Sequence, residues 1–291
     1  MEPTISTFLE QWLGAGWLAP DYSMLFALAI VLGLYLAVRN AKHQGLDEVL
    51  VFRLGMITVC AALISARLFV VSEKFSYYAE RPAEIPLYWQ DGLASSGAYL
   101  GGLAAVFVSS WWVGARPAKF LDVAAPSIAL AICIGRLACF INGCCYGKPS
   151  DVSWAVTFPA GSQPHHQHLL NGLIEPGQAS LPLHPTQLYE ALLGLALFVF
   201  LIIVRKRVRR DGEMIALLFL IYACGRLVIE FTRGDDRWMI AGFSVPQYLS
   251  ILGIVLSGVF LFAGRTSRKV ADSNFPSESG RMPVADVHPI S

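Results

Sequence analysis

Charge is what this sequence lacks. Asp, Glu, Lys and Arg make up 15% of its 291 residues, against roughly 25% in an ordinary soluble domain. Apolar residues make up 55%, and mean hydropathy is +0.54. An ordinary water-soluble domain is therefore excluded. Neither sign dominates, since 22 Lys and Arg face 21 Asp and Glu, and a net charge of +1 removes the electrostatic case for a nucleic-acid partner. The first 20 residues lack a basic leader region and a small-residue cleavage site, so no signal peptide is expected. An internal repeat is also missing, which argues against a transporter built from two halves with paired interrupted helices.

What the chain has is long apolar runs. A hydrocarbon core of about 30 Å needs roughly 20 apolar residues in a helix. Seven such runs are found, near Tyr22–Val38, Leu50–Val71, Gly92–Val113, Phe120–Ile141, Pro185–Val204, Met214–Phe231 and Val245–Ala263. They do not alternate polar with apolar, so a β-barrel is excluded. The expected fold class is an all-α, polytopic integral membrane protein with seven transmembrane helices. Residues 1–264 would form a single membrane domain with a small outer cap at about 146–183, and 265–291 a disordered tail. Phe8, Leu9, Trp12, Leu13 and Trp17 recur at helical spacing and predict an amphipathic helix on the outer interface. Twelve basic residues flank the spans on one side and five on the other, which predicts an outer N-terminus and a cytoplasmic C-terminus.

Within the spans stand Arg53, Arg67, Arg136, Glu190, Arg226 and Glu230. Each costs a few kcal/mol at the bilayer centre, so each needs an internal partner or a task. Arg53 is close enough to the cytoplasmic end to snorkel. Arg67 is counted with the substrate-binding residues. Tyr222, Arg226, Glu230 and Arg233 follow at i, i+4, i+8 and i+11, along one helical stripe. Two guanidiniums bracketing a carboxylate can present forked donors to a phosphate; the alternative is a buried Arg–Glu pair that holds helices together. Helix four ends in Gly135-Arg136-Leu137-Ala138-Cys139-Phe140-Ile141-Asn142-Gly143-Cys144-Cys145, where glycine can stop the helix. Helix five begins His184-Pro185-Thr186-Gln187-Leu188-Tyr189-Glu190, with Pro185 suited to the first helical position and His184 to the cap.

In this order and spacing, Trp89…Gly92, Gly135-Arg136…Asn142-Gly143, the His184–Glu190 run and Tyr222…Gly225-Arg226…Glu230…Arg233 resemble the prolipoprotein diacylglyceryl transferase family, from about Asp21 to Ala263. The resemblance implies a seven-helix enzyme of the bacterial inner membrane. Such an enzyme moves diacylglyceryl from phosphatidylglycerol, or a similar anionic phospholipid, to the lipobox cysteine thiol of a prolipoprotein signal peptide, releasing glycerol phosphate. It implies catalytic roles for Arg136, Arg226, His184 and Glu230. Tyr22, Asn142, Gln187, Tyr189, Glu190, Tyr222 and Arg233 would serve the lipid. The alternatives are a family paralogue with another acceptor and a non-catalytic lipid-binding or transport protein.

Three positions depart from the family pattern. Ser96 stands where the third-helix motif carries a His, Cys139 where the family has Asn, and Cys144 where it has Glu. With Ser96 unable to take a proton, His184 is the expected base for the acceptor thiol, and a Cys144 thiolate the alternative.

Cys60, Cys133 and Cys224 read as small core residues. Cys139, Cys144 and Cys145 cluster beside Arg136 and could be reactive thiols, a structural disulfide or inert packing. A metal site would have to be completed by the distant His165, His166 or His168, so neither metal nor other cofactor is assigned.

Overall fold

A computed structural model describes residues 22–87, 94–208, 210–235 and 239–273. Nine α-helices lie in these segments: α1 (Tyr22–His43), α2 (Glu48–Glu73), α3 (Phe75–Glu80), α4 (Ser95–Trp112), α5 (Pro117–Asn142), α6 (Gln163–Leu170), α7 (Thr186–Val204), α8 (Glu213–Glu230) and α9 (Val245–Ser273). A two-residue hairpin, β1 (Met239–Ile240) with β2 (Phe243–Ser244), joins α8 to α9. Trp89, Gly92 and the N-terminal interfacial helix expected from the sequence fall outside the described residues.

Five helices are long and apolar enough to cross a membrane: α1, α2, α5, α7 and α9. Their outward faces carry large exposed apolar side chains, among them Val31, Ile64, Leu192 and Phe262. The protein is thus an all-α, multi-pass membrane protein. Two more helices, α4 and α8, have 18 residues each. Helix α8 carries Glu213, Arg226 and Glu230, which lower its apolar content.

Small residues let the helices approach closely, as expected where lipid tails offer no hydrophobic drive for association. A Cβ placed on Gly97 or Gly101 of α4 would lie 2.4 Å from the Ser65 carbonyl oxygen or 2.2 Å from its Cβ on α2. On α7, a Cβ at Gly194 would lie 2.8 Å from the Cys133 nitrogen and 3.0 Å from the Ala129 oxygen of α5. That contact fixes α5 against α7 about one turn from Arg136 and Glu190. Helix α8 is anchored to α5 by Asp122, whose carboxylate accepts from the N–H groups of Gly212 (2.6 Å) and Ile215 (2.9 Å). It satisfies two of the donors that a helix start leaves free.

The last apolar stretch, Val245–Ala263, is a candidate span as expected, and the backbone stays helical beyond it to Ser273. No proline interrupts the chain before Pro276, and Arg268 and Lys269 suit a helix C-terminus. Two sequence expectations need correction. Helix α7 begins at Thr186 with Pro185 as its N-cap residue, so His184 does not cap it. The His184 backbone is instead engaged in bonds with Gly147 and Lys148. Cys60 and Cys224 are exposed on helix surfaces rather than packed in the core, while Cys133 is buried. A small apolar thiol facing hydrocarbon carries no penalty.

Between α5 and α7 the chain makes a compact excursion. Val156 and Pro149 pair with Leu183, and Gly147 pairs with Arg233. Tyr146, Phe158 and Leu183 form its apolar centre. Helix α6 is capped by Ser162. Its buried His168 accepts from the Leu181 N–H at 3.2 Å.

Candidate functional site

The centre of the charged cluster is Glu190, wholly buried on α7. Its Oε2 pairs with Arg136 Nη2 at 2.8 Å and Arg226 Nε at 3.7 Å, and its Oε1 with Arg233 Nη1 at 3.3 Å. The Tyr222 hydroxyl donates to Oε2 at 3.2 Å. Residues from α5, α7, α8 and the turn after α8 therefore meet at one carboxylate. Tyr222, Arg226 and Arg233 all reach Glu190, but α8 ends at Glu230, so Arg233 acts from the turn beyond the helix and not from the single helical stripe expected from the spacing.

A second tier holds the guanidiniums. Arg226 also pairs with Glu230, one helical turn on. Glu230 accepts from the Ser244 hydroxyl at 2.6 Å, which ties the end of α8 to the start of α9. Asp235 grips Arg233 with two bonds, 2.9 Å at Nε and 2.8 Å at Nη2. Three guanidiniums thus face three carboxylates, an arrangement that lets each charge sit in a poorly solvated site. Exposure separates their duties. The Arg136 side chain is 20% exposed, Arg226 10% and Arg233 2%. Arg136 is the most open to an incoming anion, and Arg233 is consumed by its protein partners.

The end of α5 borders this cluster. Gly143 adopts a left-handed backbone (φ 70°) and closes the helix. Cys144 and Cys145 follow, the latter also left-handed at φ 60°. The N-terminus of α7 pins this turn: Gln187 Nε2 donates to the Cys144 carbonyl and Thr186 Oγ1 to the Cys145 carbonyl, both at 2.8 Å. Gln187 Oε1 is buried without a hydrogen-bond partner. The sulfur atoms of Cys139, Cys144 and Cys145 lie within 4.8 Å of one another. Hydrogen bonds from the Cys139 and Cys144 thiols, and then the charges of Arg233 and Arg136, hold the Cys145 thiol well below its usual range. Asn142 is the last residue of α5, and the Cys144 thiol donates to the Cys139 carbonyl at 3.7 Å.

Other expected site residues lie elsewhere. The His184 ring pairs through Nδ1 with the Tyr189 hydroxyl at 3.2 Å, and that hydroxyl accepts from Trp154 Nε1 at 2.6 Å. Arg67 spends its donors on the Ile85 carbonyl (2.6 Å), the Glu84 carbonyl (3.0 Å) and the Tyr78 hydroxyl (3.1 Å), tying α2 to the loop before α4. The side chains of Tyr22 and Ser96 are outside the described residues. Sequence reasoning missed Asp122, Thr186, Asp235 and Ser244. The one available signal was Asp235, two residues after an Arg already singled out.

Fold and site together define a multi-pass helical membrane protein with a buried three-guanidinium cluster opening at Arg136. The family model for prolipoprotein diacylglyceryl transferase matches residues 19–263. A phosphatidylglycerol–prolipoprotein diacylglyceryl transferase of Streptococcus equi subsp. zooepidemicus is 33% identical over 244 residues, which cover 83% of this chain and 89% of that protein. Those so named in Synechococcus elongatus (33% over 268 residues; 89% and 88%) and Clostridium tetani (29% over 245; 83% and 91%) are similar too. The chain belongs to the prolipoprotein diacylglyceryl transferase family.

Proposed function

We propose that this protein transfers diacylglyceryl from phosphatidylglycerol to the lipobox cysteine of a prolipoprotein, with release of glycerol phosphate; the names of its relatives give the donor, the prolipoprotein acceptor and the group transferred. The observation that carries the reading is the gathering of Arg136, Arg226 and Arg233 around Glu190 inside an apolar helical bundle. Such a cluster is suited to the one charged part of an anionic phospholipid. As the acceptor sulfur attacks the glycerol carbon, the C–O bond breaks and its electron pair stays on the phosphate. Guanidinium donors fixed beforehand stabilise that developing charge without reorganising.

Arg136 and Arg226 contact the phosphate, with Tyr222 as a further donor. Glu190, Glu230 and Arg233 are positioning residues that orient the two forks, and Gln187 and Asn142 line the acceptor side. His184 and Tyr189 form a polar pair at the start of α7, tied to Trp154 of the excursion. A catalytic role for His184 requires its ring to reach the acceptor thiol in the loaded enzyme. Arg67 serves the α2–α4 connection instead of the lipid.

The membrane arrangement is seven spans, α1, α2, α4, α5, α7, α8 and α9, in the bacterial inner membrane. The N-terminus and the excursion at about 146–183 lie outside, and the C-terminus is in the cytoplasm. Reporter fusions after Arg210 should then read as cytoplasmic and fusions within Gln163–Gly177 as external; an external signal at Arg210 refutes this topology. Expression in a strain depleted of its own family enzyme should restore lipoprotein maturation. Failure to do so with normal membrane insertion would favour the paralogue with a different acceptor.

A further inference from the structure

The thiols of Cys139, Cys144 and Cys145 are all half-buried and form no disulfide, with sulfurs within 4.8 Å of one another. In a tetrahedral zinc site, bonds of about 2.3 Å place ligand sulfurs about 3.8 Å apart, so the trio needs to close by only about 1 Å. The turn that carries two of these ligands is already held, by Gln187 and Thr186 on the Cys144 and Cys145 carbonyls. The Cys144 N–H bonds the Cys139 carbonyl at 3.1 Å, which fixes the third ligand to the same turn. No distant histidine is required if the fourth position stays open.

We propose that Cys139, Cys144 and Cys145 bind one Zn²⁺ as a trithiolate site whose fourth position receives the acceptor thiol. The second half of this proposal rests on the transferase reading above. Three thiolates around a divalent cation carry one net negative charge, and Arg136 and Arg233 flank Cys145 to offset it. The site also answers a need in the chemistry. Glu190 and Glu230 are saturated by guanidiniums and make poor bases for a thiol. Nor can a cluster cysteine attack the lipid itself. The thioether so formed would not reverse, and the protein would inactivate after one turnover.

Coordination removes the proton directly, because a thiol bound to a cation is deprotonated outright. The acceptor R–SH displaces zinc-bound water, its proton passing to solvent, and binds as R–S⁻. That sulfur attacks the glycerol carbon and the C–O bond breaks onto the phosphate held by Arg136. The thioether product is a weak ligand and leaves, and water returns. No electron changes hands.

The test uses the full chain purified in detergent under a thiol-free reductant, with metal content measured first. About one zinc per chain is expected for the wild type. Cys139→Ser and Cys145→Ser should each lose at least about tenfold of it, while Cys133→Ser, outside the cluster, keeps it. Should the cluster variants fail to fold, cobalt(II) exchanged into the wild type gives the same answer. Thiolate-to-cobalt charge transfer with tetrahedral visible bands is expected, and their absence overturns the site. Copper in place of zinc, or a disulfide among the three cysteines in freshly isolated membranes, overturns it as well. A lipobox peptide is then added to the cobalt form. A shift of the visible bands with the Cys peptide and none with its Ser counterpart supports the open position; no shift with either overturns the acceptor role. Failure of phosphatidylglycerol transfer by a fully metal-loaded protein that shifts with the peptide would instead count against the transferase reading.

Discussion

Replacing Glu190 with Gln removes one negative charge from a site with no exposed surface and leaves the side-chain shape intact. Three guanidiniums then face two carboxylates, and the cluster carries an uncompensated positive charge. Removing one partner of a buried ion pair costs about 3–5 kcal/mol. The lower end applies here, because the Gln carboxamide oxygen still accepts from one guanidinium and Arg136 is partly exposed. A change of about 3 kcal/mol corresponds to a loss of roughly 6–12 °C in Tm for a chain of this size. Glu230→Gln should cost less, since Glu230 serves one guanidinium and the Ser244 hydroxyl.

The assay is thermal unfolding of detergent-solubilised protein with and without phosphatidylglycerol. Anionic lipid should stabilise Glu190→Gln more than the wild type, because its phosphate supplies the missing charge. A zwitterionic lipid should stabilise the two equally. A Glu190→Gln protein that melts within 1–2 °C (about 0.5 kcal/mol) of the wild type would refute the role of Glu190 as the common partner of three arginines.

Further expectations concern the forks, the helix contact and the excursion between α5 and α7. Arg136→Lys and Arg226→Lys keep a charge but lose the fork; one charge-assisted hydrogen bond is worth about 1.5–3 kcal/mol, so transfer should fall roughly 10- to 150-fold with insertion unchanged, while Arg53→Ala stays near wild type. Full activity of both Lys variants would remove the phosphate clamp. Gly194→Val forces a side chain into the α5 backbone and should cost about 1–3 kcal/mol or more in thermal unfolding; a neutral result would mean that the α5–α7 contact is looser than described. Burial, and then the charge of His165, lower the pKa of His168 below its ordinary value of about 6.5. Between the two values the unfolded excursion binds more protons, so its stability is full above about 6.5 and declines as pH falls toward the folded value. Hydrogen exchange at the Leu181 amide, corrected for intrinsic rate, should quicken over that window; pH-independent protection would contradict it.

The helices were legible because lipid imposes a single rule on them, a long apolar run, and each run became a helix. The arginines were legible for the opposite reason, since a charge in such a run is costly enough to demand an explanation. What the sequence did not disclose was pairing. Glu190 was marked as a span carboxylate in need of a partner, but its partners were not named, and the close α5–α7 approach at Gly194 helps to make it the meeting point of three arginines. Arg67 illustrates the same limit, since its cost in the span is met by carbonyls of the next loop. Asp122 and Asp235 act across turns and between helices, where no periodicity points. The cysteines were visible as a cluster in sequence, but the convergence of their sulfurs depends on the left-handed turn at Gly143 and Cys145.

Transfer itself is the most direct measurement. Purified protein in phosphatidylglycerol vesicles is given a lipobox peptide, and thioether product and released glycerol phosphate are quantified together. Equal amounts of both are expected with the Cys peptide, none with its Ser counterpart, and a 10- to 150-fold slower rate for Arg136→Lys, from the roughly 1.5–3 kcal/mol assigned to its fork. Insertion-competent, folded protein that yields neither product, or that releases glycerol phosphate without forming the thioether, would contradict the assignment.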